Sequence, residues 1–121
     1  MDQPKYKRVL LKISGEALAG EASRGLDFQV IGLVCDVIKR CVDRGVQVGV
    51  VVGGGNFWRG VKDGGGAMER VRADHMGMLA TAINALAVAD VLEQKGVEVR
   101  VQTAIGMQAV AEPYIRSKAI R

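Results

Sequence analysis

Aromatic side chains are scarce in this chain: Tyr6, Phe28, Phe57, Trp58 and Tyr114 are the five in 121 residues. They are too few and too dispersed for a base-stacking platform, which argues against a single-strand nucleic-acid binder. There is one histidine, His75, and there are two cysteines, Cys35 and Cys41, with no Cys-x-x-Cys. That leaves no zinc constellation and no disulfide framework, and a reducing cytoplasmic setting is the default. On a helix the two cysteines would sit about 240° apart, so they cannot pair there and read as small buried hydrophobes. No compact basic run occurs either: 17 basic and 13 acidic residues leave a charge of +4. A scattered surplus of that size suits an anionic ligand without implying nucleic acid. The longest uncharged apolar stretch, residues 76–89, is too short for a bilayer and contains Thr81 and Asn84. Residues 1–5 lead into no signal core. The expectation is a soluble, cytoplasmic chain without membrane or nucleic-acid partners.

What is present is globular composition, 49% hydrophobic and 25% charged, enough for one modest core. Residues 6–13 read as a strand, and the apolar run Val9-Leu10-Leu11 with Ile13 suggests a central position buried in a parallel sheet. Asp27 is a good N-cap for a helix carrying Val30, Val34, Val37, Ile38, Cys41 and Val42 on one face, ended by Gly45. Residues 46–52 form a second buried strand running into Gly53-Gly54-Gly55-Asn56. Strand, helix, strand predicts a right-handed parallel crossover.

Residues 60–66 hold four glycines in seven positions and read as a mobile loop, a candidate lid. A long helix follows over 68–95, with Met76, Leu79, Ile83, Leu86 and Ala87 on one stripe and Ala80, Ala82, Ala85 and Ala89 around the remainder. A helix so apolar around its circumference should be buried, in part at a subunit contact. Gly96 ends it, residues 97–103 give a third strand, and 111–121 start a helix opened by Glu112-Pro113. These elements predict an α/β fold: a three-layer α/β/α sandwich with a mainly parallel sheet, incomplete at its C-terminal side. There are no internal repeats, so the chain is one domain or part of one.

The common phosphate fingerprints do not occur: there is neither Gly-x4-Gly-Lys-Ser/Thr nor a strand followed by Gly-x-Gly-x-x-Gly. Walker NTPases and dinucleotide dehydrogenases are therefore poor fits. Instead, Lys12-Ile13-Ser14-Gly15-Glu16 closes the first strand and Gly53-Gly54-Gly55-Asn56 the second. Ligands of open α/β sheets bind outside the carboxyl ends of strands, so both segments should line one crevice. Lys12 brings a compact positive charge, Ser14 and Gly15 let backbone N–H groups approach phosphate oxygens, and a helix starting near Asn56 would aim its N-terminus at an anion. Arg59 can fork onto phosphate. One glycine-rich turn alone is ordinarily just a turn, but two at adjacent strand ends point to an anion site. Asp74 is open to two readings, an acceptor for sugar hydroxyls or a solvated first-turn acid. His75 reads as a packing histidine.

On the segments Tyr6-Lys7-Arg8-Val9-Leu10-Leu11-Lys12-Ile13-Ser14-Gly15-Glu16-Ala17-Leu18, Val51-Val52-Gly53-Gly54-Gly55-Asn56 with Arg59-Gly60, and Ala73-Asp74-His75-Met76-Gly77-Met78-Leu79-Ala80-Thr81, the sequence resembles the amino acid kinase family, in its bacterial UMP kinase branch. The resemblance covers essentially all 121 residues, and the third segment separates this branch from acetylglutamate, aspartate and carbamate kinases. It implies a nucleoside monophosphate kinase that moves the γ-phosphoryl group of Mg-ATP to UMP, giving UDP, in a cytoplasmic homohexamer activated by GTP and inhibited by UTP. By the same resemblance Mg2+ enters with ATP, and no separate metal site is expected. Lys12, Ile13, Ser14 and Gly15 resemble the ATP phosphate-binding segment, with Lys12 as the catalytic charge. Gly55 and Arg59 resemble ATP-side contacts, Gly54 a UMP phosphate contact, and Asp74 the group that holds the UMP ribose hydroxyls.

The stretch Gly20, Glu21, Ala22, Ser23, Arg24, Gly25 corresponds to the GTP-effector loop, although the usual Gly-Phe-Gly ending is missing. Family members run to about twice this length, and their later part supplies a Gly-Thr-Gly-Asn-Pro-Phe-Phe-Thr-Thr-Asp-type segment that grips UMP. The resemblance therefore makes these residues the amino-terminal part of an amino acid kinase domain, inactive by itself. Two alternatives are a non-catalytic phosphate-ligand module and a family enzyme acting on a carboxylate or carbamate.

Overall fold

The computed structural model describes residues 5–22, 24–58, 68–104, 106–107, 111–115 and 119. Strand β1, Arg8–Ile13, pairs in parallel with β2, Gln47–Val52, in a register that sets Arg8 beside Gln47 and Ile13 beside Val52. The connection between them is α2, Phe28–Asp43, reached through a short α1, Gly15–Ala19, and a 3-10 turn at Gly20–Ala22. Asp27 caps α2 as expected: its carboxylate accepts from the N–H groups of Gln29 at 3.0 Å and Val30 at 3.3 Å. Gly45 and Gly96 follow the C-termini of α2 and of the long helix α3, Arg70–Gln94, with φ of 86° and 85°. That left-handed conformation is cheap only for glycine, which is why both helices stop there.

The core lies between the strand pair and the two long helices. Leu18, Ile31, Cys35, Ile38, Val88 and Leu92 are buried together, with Leu11, Ile13, Val48, Val50 and Val52 packed on them from the sheet. Lys95 and Asp36, 2.6 Å apart, join the end of α3 to α2. The α/β class and parallel pairing match expectation. Among the described residues the sheet is covered on one face only, however, so burial alternates along both strands instead of being continuous, and Leu10 is 71% exposed. The described residues supply two layers, sheet and helices. The central, doubly buried position expected for β1 would need a layer over Leu10 and Val51.

Four further expectations change. The stripe Met76, Leu79, Ile83 and Leu86 is the exposed side of α3, whereas Ala73, Ala80, Ala82, Asn84, Val88, Ala89 and Leu92 face inward. Alanine stands at position 80 where the Gly54 backbone comes close to α3. By length and composition α3 could cross a membrane, but its inner face is committed to the core and Asn84 is bonded to the strand-end loop.

Residues 97–101 belong to no strand, and only Gln102–Thr103 (β3) pairs, in parallel with Glu112–Pro113 (β4). The Glu112-Pro113 pair thus forms a strand rather than opening a helix. The donors on that edge are Glu112 to the Val101 carbonyl and Tyr114 to the Thr103 carbonyl, each 2.9 Å, so proline sits where no N–H is needed. Arg100 forks onto the Glu112 carboxylate at 2.6 and 3.0 Å, and that hydrogen bond holds its guanidinium above the ordinary arginine range. Beyond this strand Ala119 is helical, its N–H donating to the Ile115 carbonyl at 2.9 Å. His75 is exposed rather than packed.

Cys35 is fully buried and Cys41 partly so, and neither forms a disulfide. Burial pushes the Cys35 thiol up, against a smaller opposing pull from Lys95. The neutral thiol is therefore favoured in the folded chain, and its contribution to stability is complete below the ordinary thiol range. That contribution declines as pH rises through it, because the unfolded thiol ionises first. The expected result with a thiol-specific disulfide reagent at pH 8 is one fast thiol, Cys41, with the second released only on unfolding. Two equally fast thiols in the native chain would contradict this packing.

Candidate phosphate-binding crevice

Parallel pairing in this register brings the carboxyl ends of β1 and β2 to the same level, and the Gly53 N–H extends the ladder by donating to the Ile13 carbonyl at 2.8 Å. The chain then turns outward at both ends. After β1, Ser14 caps α1, its hydroxyl accepting from the Ala17 N–H at 3.2 Å. After β2, the N–H groups of Phe57 and Trp58 both donate to the Gly54 carbonyl at 3.0 Å, closing one turn. Any continuation of the helix expected from Asn56 falls on residues 59–67, outside the described residues, as do Arg59, the proposed lid at 60–66 and Ser23.

The two loops interlock through their glycines. A Cβ on Gly15 would meet the Asn56 side-chain oxygen, the Gly55 nitrogen at 2.8 Å and the Gly53 carbonyl at 2.9 Å. A Cβ on Gly54 would lie 2.8 Å from the Ala80 methyl and 3.0 Å from both the Gly77 carbonyl and the Thr81 nitrogen. These positions need glycine for close backbone approach, not for an unusual φ. Glu16 lies over Gly55, where a Cβ would come within 2.7 Å of its carboxylate. Trp58 donates its indole N–H to the Ala73 carbonyl at 2.8 Å, fastening the far side of the turn to α3.

Of the residues expected at the site, Ser14, Gly15, Gly54 and Gly55 come together, with Ile13 half-buried beneath them. Lys12 is exposed on the sheet face that α2 and α3 leave open, beside Val51. Asp74 is exposed one turn before Gly77 on α3 and accepts from Arg70 at 3.3 Å. In the segment Gly20 to Gly25, Gly20 and Gly25 adopt φ of 64° and 71°, Glu21, Ala22 and Arg24 are exposed, and Gly25 is tied to the crevice. Its N–H donates to the Asn56 carbonyl at 3.1 Å, and the Asn56 amide donates to its carbonyl at 2.7 Å.

Sequence reasoning missed α1 and Asn84. Ser14 followed by Gly-Glu-Ala-Leu-Ala is a helix start with its cap in place. Asn84 stood out as the lone amide within the apolar run of α3, and a polar side chain in a buried helix demands a partner. Among the described residues, no three His, Cys, Asp or Glu side chains gather as a metal cage.

Two glycine-rich loops locked at adjacent parallel strand ends, backed by α3, define an α/β protein with its candidate site in the place where open α/β sheets bind ligands. The amino acid kinase family model matches residues 7–118. The chain is 54% identical over its full length to the uridylate kinase of Streptococcus thermophilus, of which it spans 49%. A solved UMP kinase from Bacillus anthracis superposes with a TM-score of 0.87 at 44% identity, covering 95% of this chain and 48% of that one. The UMP kinase of Ureaplasma parvum gives 0.84 at 34% identity, covering 96% and 50%. The chain belongs to the amino acid kinase family, and it spans about half the length of these relatives.

Proposed function

We propose that these residues form one wall of a UMP kinase active site, in which a UMP phosphate oxygen attacks the γ-phosphorus of Mg-ATP, the bond to the β-phosphate oxygen breaks, and UDP and ADP leave. The observation that carries this reading is the interlocked pair Ser14-Gly15 and Gly53-Gly54-Gly55 at adjacent strand ends, in a chain 54% identical to a uridylate kinase. Phosphoryl transfer depends on positioning and charge stabilisation. In this reading Lys12 supplies charge to the transferring group, and Ser14, Gly15, Gly55 and Arg59 hold the ATP phosphates. Gly54 approaches the UMP phosphate and Asp74 accepts from the ribose hydroxyls. Mg2+ is part of the substrate, carried by triphosphate oxygens and water, its usual mode. Without the opposite wall the 121 residues transfer little or no phosphate.

The test is to join this chain to the second half of the S. thermophilus relative and to offer UMP, N-acetylglutamate, aspartate and carbamate with Mg-ATP. ADP release with UMP alone supports the reading. Release with a carboxylate or carbamate instead sinks it, and saturable UMP binding without ADP points to a binding module.

The proposal extends to a cytoplasmic homohexamer in which residues 20–25 receive GTP as activator and UTP inhibits. One of its two-fold contacts would be α3. The exposed line Arg72, Met76, Leu79, Ile83, Leu86, Asp90 is symmetric about position 81. An antiparallel second copy therefore sets Met76 against Leu86, Leu79 against Ile83 and Arg72 against Asp90. Leu79→Glu should convert the assembled protein to smaller species in light scattering after gel filtration. An unchanged mass would remove α3 from the contact.

A further inference from the structure

We propose that Asn84 is a positioning residue for the turn after β2, acting through a reciprocal amide pair with Asn56 that binds the turn, α3 and Gly25 into one unit. The assignment to catalysis rests on the reading that this turn holds phosphate. Both side chains are buried, Asn84 at 0% and Asn56 at 2% exposure. The Asn84 amide donates to the Gly53 carbonyl and to the Asn56 side-chain oxygen, both at 2.7 Å. The Asn56 amide donates to the Asn84 oxygen at 3.0 Å and to the Gly25 carbonyl at 2.7 Å. All four amide hydrogens are thus used, as a buried polar network requires.

Packing alone does not call for this arrangement. The inner face of α3 is otherwise mainly alanine, valine and leucine, and an apolar residue at 84 could fill the space. What it could not do is hold the Gly53 carbonyl and the Asn56 side chain. Those two groups are, with the Gly55 nitrogen, the ones a Cβ on Gly15 would strike, so they form part of the surface against which the β1 loop rests. A shift of the pair moves both lips of the crevice, together with Gly25.

Amide hydrogen exchange on the 121-residue chain tests this. In Asn84→Ala the N–H groups of Gly53, Phe57, Trp58 and Gly25 should exchange about tenfold faster or more, while those of Ile31 to Ile38 in α2 keep their rates. Asn84→Asp adds a pH readout. Burial favours the protonated acid, whose O–H restores one donor, so protection of the turn relative to wild type should recover as pH falls. If Asn84→Ala does not fold, Asn84→Ser, which retains one donor, reads the same amides. Wild-type rates at the turn overturn the proposal. So does equal loosening of turn and α2, or an Asn84→Asp profile that tracks wild type at no pH. Failure of the completed wild-type enzyme to phosphorylate UMP would sink the reading of the site but leave the exchange result standing, whereas UMP transfer with an unaltered turn sinks this proposal alone.

Discussion

Gly15→Ala should destabilise the chain by about 3 kcal/mol, lowering Tm by roughly 10 °C. Helix propensity argues the opposite way, because alanine for glycine within a helix is ordinarily stabilising by about 1 kcal/mol. The new methyl would press on the Gly55 nitrogen and Gly53 carbonyl, 2.8 and 2.9 Å away, and on the Asn56 oxygen. None of these can yield cheaply. Gly53 is held by the Ile13 carbonyl on one side and by Asn84 on the other, and Asn56 is bonded at both its side chain and backbone. Gly49→Ala is the informative control. Its methyl would meet the flexible end of the Leu10 side chain at 3.2 Å and the Val9 carbonyl at an ordinary 3.9 Å, so its Tm should move little. Calorimetry of the two variants checks the contrast, and equal shifts would mean that the loops are not interlocked.

The second large effect concerns rate rather than stability. Lys12→Ala in the completed enzyme should reduce UMP-dependent ADP release about 10²- to 10³-fold, the scale for removing one preorganised group that stabilises transition-state charge. Melting should stay within about 0.5 kcal/mol of wild type, as for other exposed positions. Lys12 is exposed, beside Val51 on the sheet face that α2 and α3 leave open. Loss of rate without loss of stability separates a charge acting on phosphate from a solvated strand residue.

The features legible in the sequence were those with local causes. The Asp27 capping oxygen accepts from the N–H groups of Gln29 and Val30, Gly45 and Gly96 take the conformation that ends a helix, and an apolar six-residue strand with a helical crossover pairs in parallel. The two glycine loops were legible because a strand-to-loop transition at matching positions has few geometric outcomes. Where the reading failed, the cause lay outside the local segment. Nothing in Val9-Leu10-Leu11 says which faces of the sheet receive a cover, and Leu10 is exposed because its face has none among the described residues. Over residues 76–89 of α3 nearly every position is apolar, so periodicity gives no direction. What turns the helix is tertiary contact: the Gly54 backbone lies close against Gly77, Ala80 and Thr81. Asn84 was visible as an anomaly, but its partner sits 28 residues away in the chain, and pairing over that separation is a tertiary fact.

The central claim is that these residues are one half of a phosphoryl-transfer crevice, and UMP-dependent ADP release with Mg-ATP tests it most directly. The measurement compares the 121-residue chain alone with the same chain joined to the second half of the S. thermophilus relative. The account predicts no measurable rate for the chain alone, a clear rate for the joined protein, and loss of that rate with Lys12→Ala. A folded joined protein that releases no ADP, or a chain that turns over by itself regardless of Lys12, would contradict it.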